Sequence, residues 1–469
     1  MFFIFNTGQL SAEKTKLVNT ADAVAYSAAV MHARALNFDA YNNRALVANE
    51  VLVAQMVSLS SWSQYADTHA QNLISVFPEC ANPYSAAVAA LINYDPLYGL
   101  SCYATVTYAS TEISYIAGLV PTIAQGIVQA IEWNKTAIRA AENWVHAPTV
   151  FEKARSDVMN EVAQRNYAGD GAVTVVPAGA SPSASSLAMT DNWSSFTQQY
   201  SGDDRVRFAE VAKLAAYSDK FVEQRSWDST AFLPNLPEWK CALRGQKNSV
   251  KRRGGTELVG LDEWKAEDTE SFWQGHNAGR FWQIRCNEDE NPIAWGEQKA
   301  NQPGGAQSEA GLYLGGSPGT NPLASSNASS AEWNDYTGLP SFYDLSTNML
   351  SDPDPRLKFA VIVVRNSADA KTSGAASPIG ASEHLNNFSN SFAQSKMSAM
   401  ATAEAYFERP YTDPTDPTKG AFNQYAEKNN NPNKRELGSL FNPYWQARLV
   451  PNSATDIAAQ QALLGAVTP

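Results

Sequence analysis

Between Gln9 and Phe77 the chain contains neither glycine nor proline. No other feature limits the fold as strongly, because those two residues are the main interrupters of a helix. Apolar and small residues recur through the stretch as Leu10, Leu17, Ala21, Val24, Ala28, Met31, Ala35 and Phe38, and from Leu17 the steps alternate four and three. That is the seam spacing of packed helices. Tyr41, Ala45, Ala48 and Leu52 continue the face in a slightly shifted phase. At about 1.5 Å per residue, an unbroken helix here extends about 100 Å. The alternative to an unbroken helix is a break near Leu36-Asn37-Phe38. Ala and Ser enrich the seam, so a second helix can approach closely, whether from the same chain or from another copy.

Pro78 and Pro83 end this element, and the apolar run AAVAALINY follows between Cys80 and Cys102. TIAQGIVQAIEWNKTAIRAAENWV reads as an amphipathic helix with Pro121 in its first turn, and TVFEKARSDVMNEVAQRN reads as another. GDGAVTVVPAGASPSASS then carries one short strand and a Ser/Pro/Ala/Gly linker. DDRVRFAEVAKLAAYSDKFVEQ is a further helix with Asp203 or Asp204 as its N-cap. From Trp227 onward the pattern turns to strands. VKRRGGTELVG reads as a hairpin turning at Gly254-Gly255, RFWQIRC and KFAVIVVRN as strands, and SKMSAMATAEAYF as a short helix or strand. SATDIAAQQALLGAV reads as a terminal helix. The expected fold class is α+β: a long N-terminal helix and helical bundle, then a strand-rich, loop-decorated C-terminal globular domain. The blocks are a helix over 1–77, a helical region over 78–170, a linker and helix over 171–226, and a Trp-rich α+β domain over 227–469.

Charged residues make up only 17% of the chain and the net charge is −12, which argues against a general nucleic-acid binder. The four cysteines form two sequence-local pairs, read as the disulfides Cys80–Cys102 and Cys241–Cys286 of an oxidising compartment. MFFIF is too short for the apolar core of a signal peptide and lacks a basic leader. Phe2, Phe3, Ile4 and Phe5 therefore read as the end of a longer apolar segment, with Met1 either a late start or a processed terminus. G-x-S-x-G, H-E-x-x-H and P-loop motifs are missing, and no cofactor or metal is expected. His276 reads as structural, and the acidic runs NEDEN, SDPDP and DPTDPT read as solvated turns. Seven of the twelve tryptophans lie between Trp227 and Trp333, which suits a Trp-rich core, a subunit interface or a sugar-stacking surface.

NTADAVAYSAA resembles the N-x-A-D-A-A-A signature that follows the membrane helix of TadE/TadG-like proteins, the pseudopilin-like components of Tad (Flp) type IV pilus systems. FIFNTGQLSAEKTKLVNTADAVAYSAAVMHARALNFDAYNNRALVANE is similar to a long-chain branch of that family, as are RRGGTELVGLDEW and KRELGSLFNPYWQARL. Phe5 stands where a pilin carries glutamate, and the first acidic residue is Glu13. The resemblance implies a pilin-like helix first held in the inner membrane, then a non-catalytic structural subunit of a bacterial surface filament. Its partners are copies of itself and other pilus components, without nucleic acid. On that reading Phe2, Phe3, Ile4 and Phe5 form the assembly tip, and Leu10, Leu17, Val24, Met31 and Phe38 form the seam between subunits. Val24→Asp is then expected to abolish assembly and spare the C-terminal fold. The alternatives are a surface adhesin with a glycan ligand, a membrane-tethered periplasmic assembly factor, and a secreted hydrolase with facing carboxylates.

Overall fold

The computed structural model describes residues 2–82, 89, 99, 102, 110–177, 193–230, 239–279, 284–302, 319–329, 331–366, 396–408, 437–454 and 456–458. The main helices are α1 (Phe2–Val76), α2 (Ser110–His146), α3 (Pro148–Asn166) and α4 (Val206–Ala216). The strands are β1 (Thr174–Pro177), β2 (Thr197–Tyr200), β3 (Trp227–Ser229), β4 (Ser249–Val259), β5 (Glu263–Asn277), β6 (Cys286–Asn301), β7 (Ala331–Trp333), β8 (Phe342–Leu345), β9 (Arg356–Asn366), β10 (Lys396–Phe407) and β11 (Trp445–Val450). The class is mixed α+β with a long N-terminal helix, as the sequence implies. The alternative break near Leu36-Asn37-Phe38 is not there. Asn37 lies within the helix, and its side-chain amide donates to the Trp445 carbonyl and accepts from the Trp445 N–H, both at 2.9 Å.

The chain divides into two compact units drawn from non-consecutive stretches, so they do not follow the sequential blocks expected from composition. The first comprises Met1–Arg44, Ala140–Gln199 and Tyr343–Pro469; the second comprises Ala45–Arg139 and Tyr200–Phe342. In the first, β1, β9, β10 and β11 form an antiparallel sheet in that order. The register sets Val175 opposite Val363, Ala401 opposite Val361 and Ala405 opposite Ala447. These alternating residues give the sheet one apolar face, on which the first part of α1 and α3 pack.

In the second unit β3, β4, β5, β6 and β7 form one sheet, antiparallel except for the parallel β6–β7 pair. The later part of α1 lies against it. Gly296 marks the closest approach: a Cβ there would stand 2.2 Å from the Ser61 carbonyl oxygen of α1. Only glycine lets helix backbone and strand come so near. On α1 runs α2, antiparallel, with Asn134 donating to Asn49 at 3.2 Å near one end and Ser114 donating to Asp67 near the other.

Three local readings need correction. Gly254 and Gly255 are not a turn. They sit inside β4, opposite Asp268 and Glu267, and the chain reverses at Gly260, whose φ is 60°. Gly254 is needed for space: a Cβ there would lie 2.2 Å from Asp268 Oδ1. Pro121 lies inside α2, because the helix already begins at Ser110. Asp203 and Asp204 fall in a single 3-10 turn and do not cap α4, whereas Asp219 caps the next turn by accepting from the Phe221 N–H at 2.9 Å. SKMSAMATAEAYF resolves as a strand, within β10. Of RFWQIRC only Ile284, Arg285 and Cys286 are described, and of the terminal helix only a first turn near Asp456.

Both expected disulfides are present. Cys80–Cys102 joins a cluster with Phe77, Phe272 and Val250, and Cys241–Cys286 ties a short helical turn to the start of β6. They point to an oxidising, non-cytoplasmic compartment. Cys241 and Cys286 are 45 residues apart, so replacing both by serine should lower the unfolding free energy by about 4 kcal/mol. Urea titration of the variant with Cys80–Cys102 left oxidised would measure this.

Candidate assembly interface

The seam assigned to subunit contacts is largely used within the chain. Leu17 and Val24 are buried with Ala21, Ala25, Ala28 and Ala29, between Met159 and Ala163 of α3 and Phe359, Val361, Val363, Ala399 and Ala401 of the sheet. Further along, Met31 packs partly buried against a cluster holding Ala33, Leu36, Phe151, Leu357 and Trp445. Leu10 is half-buried and Phe38 is exposed. The gradation from Leu17 to Phe38 is geometric. A straight α-helix drifts about 20° per seven residues from a strict heptad line, so the line through Leu17, Val24, Met31 and Phe38 walks off the buried arc. Without the supercoil of a coiled coil, Phe38 reaches solvent. Helix α1 includes Phe2, Phe3, Ile4 and Phe5, but the side chains of that tip lie outside the described residues.

Polar side chains of α1 fix the helix on the first unit. Arg365 of β9 donates to Glu13 at 2.8 Å and to the Asp170 carbonyl at 2.6 Å, with its guanidinium over the Tyr167 ring. Lys16 meets Asp170 at 2.5 Å. Asn43 donates to the carbonyls of Tyr343 at 2.7 Å and Leu440 at 2.6 Å. Asp39 meets His146 at 2.8 Å, and that imidazole stacks on Tyr343 with centroids 3.7 Å apart. Burial raises the Asp39 carboxyl above its usual range, although the His146 hydrogen bond opposes the shift. His32 lies fully buried among Phe151, Trp193 and Phe359, with Nε2 2.9 Å from Arg155. Burial, then the Arg155 charge, lowers its pKa well below 6.5; burial also lowers Arg155 to about 10.

The second unit repeats the device along one line of α1: Glu50, Ser58, Ser61, Tyr65 and His69. Glu50 accepts from the Trp264 indole at 3.0 Å and the Tyr336 hydroxyl at 2.7 Å, and its other oxygen meets Lys135 of α2 at 2.8 Å. Lys135 also bridges to Glu132 at 2.6 Å. Ser61 donates to Asp268 at 2.8 Å, and Arg225 holds the same carboxylate through two bonds of 2.8 Å. Tyr65 donates to Glu270, which meets His69 at 2.8 Å. Burial alone would raise the Glu270 pKa. The His69 charge and hydrogen bond, the Tyr65 hydroxyl and Arg252 outweigh it and hold it below its usual value. These anchors were missed in the sequence. The signal was there, as polar residues at steps of three and four on an otherwise apolar face, but their strand partners are 200 residues away.

Most carboxylates of these clusters are buried, whereas the Lys16–Asp170 pair is partly exposed and Lys16 borders a surface cavity with Gly8, Thr15, Asn19 and Asn166. Among the described residues no group of three or more His, Cys, Asp or Glu comes together as a metal site. His276 pairs with Asp289 across β5 and β6 at 2.7 Å. NEDEN is not a turn but part of β6, where Glu290 accepts the N–H groups of Leu323 and Ala324. SDPDP is a turn, with Asp352 accepting the Asp354 N–H at 2.9 Å; DPTDPT lies outside the described residues. In the Trp-rich stretch Trp264 and Trp333 are buried in the core, and Trp227, Trp273 and Trp295 are half-buried. The side chains of Trp239 and Trp282 lie outside the described residues. Comparison with protein-family models, with curated proteins and with solved structures found no match.

Two outcomes follow from this geometry. Val24→Asp puts a carboxylate between α3 and the sheet, so it should destabilise the first unit by several kcal/mol rather than spare the fold; chemical denaturation would show the loss. His32 is held neutral when folded. As pH falls below about 6.5 the unfolded chain takes up a proton that the folded chain refuses, so stability declines. His32→Phe should flatten that decline, measured as unfolding free energy between pH 7 and pH 5 relative to the parent.

Proposed function

We propose that this chain is a non-catalytic structural component of a pilus-type envelope assembly. The apolar tip of α1, read as the end of a longer apolar segment, holds it at the inner membrane, and its two sheet-bearing units, the second of which carries both disulfides, lie outside the cytoplasm. The observation that carries the reading is the placement of the α1 seam. Leu17 and Val24 are packed into the chain's own sheet, so α1 is unavailable over that length as the bundled core of a filament. The part before Glu13, where Thr7, Gly8, Ser11 and Ala12 are exposed, is open to a membrane or a neighbour. The two disulfides support an extracytoplasmic site, and the likeness of NTADAVAYSAA and KRELGSLFNPYWQARL to TadE/TadG-like proteins supports the pilus context. Filament subunit and glycan-binding adhesin are less well supported, since the first needs the seam free and the second needs exposed tryptophans in the Trp-rich stretch.

In spheroplasts of a bacterium that makes Tad-type pili, the full chain should be digested by added protease and should leave the membrane fraction only with detergent. Deleting residues 1–10 should release a folded product into the soluble fraction. Finding the full chain as the main mass of sheared pili would overturn the tethered reading.

A further inference from the structure

Within the second unit, one lysine is enclosed by two carboxylates between α1 and α2. Lys135 of α2 and Glu50 of α1 are 2% and 0% exposed, and Glu132, one turn before Lys135, is 7% exposed. Lys135 Nζ donates to Glu132 Oε1 at 2.6 Å and to the Gly338 carbonyl at 2.9 Å. Glu50 Oε1 stands 2.8 Å from the same nitrogen, yet this buried oxygen has no hydrogen-bond partner among the described residues. An ordinary buried ion pair would point an N–H at it. The other oxygen, Oε2, is held by the Trp264 indole N–H at 3.0 Å and the Tyr336 hydroxyl at 2.7 Å. Glu132 Oε2 accepts from the Thr337 hydroxyl at 2.5 Å. Trp264 and Tyr336 are fully buried and wall the site, with the Tyr336 ring centroid 4.5 Å from Nζ.

We propose that Lys135 and Glu50 join in an intramolecular amide bond, a covalent staple between α1 and α2 that the folded chain makes on itself. Each group that amide formation needs is in place. Lys135 Nζ is the nucleophile, Glu50 Cδ the electrophile, and Glu132 moves the protons. The Trp264 and Tyr336 donors face the oxygen on which negative charge develops when the nitrogen adds to the carboxyl carbon. Glu132 takes a proton from the Lys135 ammonium and passes it to Glu50 Oε1. The freed lone pair forms the Nζ–Cδ bond, and Oε2 takes up the charge. Glu132 takes a second proton from the nitrogen and passes it to Oε1; the Cδ–Oε1 bond breaks and water leaves. The nitrogen keeps one hydrogen, and Oε2 becomes the amide carbonyl, still held by Trp264 and Tyr336. No oxidant or co-reactant is consumed. Burial raises the Glu132 carboxyl above its usual range, against the Lys135 charge, which suits it to carrying a proton. Folding holds the two reacting groups together, and the amide removes a buried ion pair whose desolvation is costly. The staple closes a loop from Glu50 to Lys135 that already contains Cys80–Cys102.

The test is intact mass spectrometry of the full chain under denaturing conditions, after incubation of the folded, disulfide-bonded protein at neutral pH until its mass is constant. The parent should weigh one water less than its sequence with both disulfides formed. After reduction and trypsin digestion, one fragment should join the α1 segment around Glu50 to the α2 segment around Lys135, and cleavage after Lys135 should be lost. Lys135→Met should restore the full mass, and so should Glu132→Gln, which keeps both Lys135 and Glu50. A parent at its full mass overturns the proposal, whatever the variants do and whether or not they fold. A water loss that maps to any other pair of residues overturns it equally. A cross-link that forms undiminished in Glu132→Gln overturns the role given to Glu132. These readouts are independent of the cellular location proposed above.

Discussion

A helix buried along most of its length forces every polar group it covers to find a partner. Helix α1 meets that constraint through its side chains. It runs from Phe2 to Val76 without interruption, and its own backbone hydrogen bonds are satisfied internally. What remains is the cost of side chains such as Glu13, Asp39, Asn43, Glu50 and His69, all buried. An unpartnered carboxylate in such a place costs several kcal/mol. Each therefore sits against a partner carried by a strand, by α2 or by a loop: the carboxylates against donors, Asn43 against two carbonyls and His69 against the Glu270 carboxylate.

The pairs favour position more than stability. A buried ion pair recovers little beyond its desolvation cost, whereas removing one partner is expensive. Arg225 and Asp268 illustrate this: the guanidinium grips both carboxylate oxygens, and Ser61 of α1 supplies a further donor to the same group. A shift of the helix by one residue would leave that carboxylate short of a donor. Apolar burial by Leu17, Val24, Phe272 and Ile293 supplies the driving force, and the polar pairs choose among otherwise similar registers.

This arrangement separates the two long helices by role. The first is spent largely on the interior, but its opening turns and side chains such as Tyr26, Phe38 and Tyr41 face solvent. The second keeps one apolar line toward α1 and leaves another, with two unpacked glycines, toward solvent. Among the described residues the start of α1 and the outer face of α2 are exposed, whereas Trp264 and Trp333 of the Trp-rich stretch are buried and Trp227, Trp273 and Trp295 half-buried. Seam spacing identifies a face that wants a partner; it does not say whether that partner is a helix of another copy or a sheet of the same chain.

Much of the architecture was legible in the residues. The glycine- and proline-free run predetermined α1, because nothing in it disfavours continuous helix. Pro78 marked its end, the continuous apolar, β-branched run in KFAVIVVRN marked β9, and the even, local cysteines marked both disulfides. Tertiary structure decided the rest. Gly254-Gly255 resembles a turn by composition, yet it lies mid-strand because Asp268 occupies the space a side chain would need. Asn37 resembles a break, yet it lies within the helix, hydrogen-bonded to a strand some 400 residues later. The Leu17–Phe38 seam resembles a coiled coil, yet a straight helix cannot keep a seven-residue line on one side, so the line begins in the core and ends in water. Local propensity fixed the long helices and the strand of KFAVIVVRN, but not NEDEN, Gly254-Gly255 or SKMSAMATAEAYF, which are strand. Which face is covered, and by what, depends on groups hundreds of residues apart that meet only once the chain is folded.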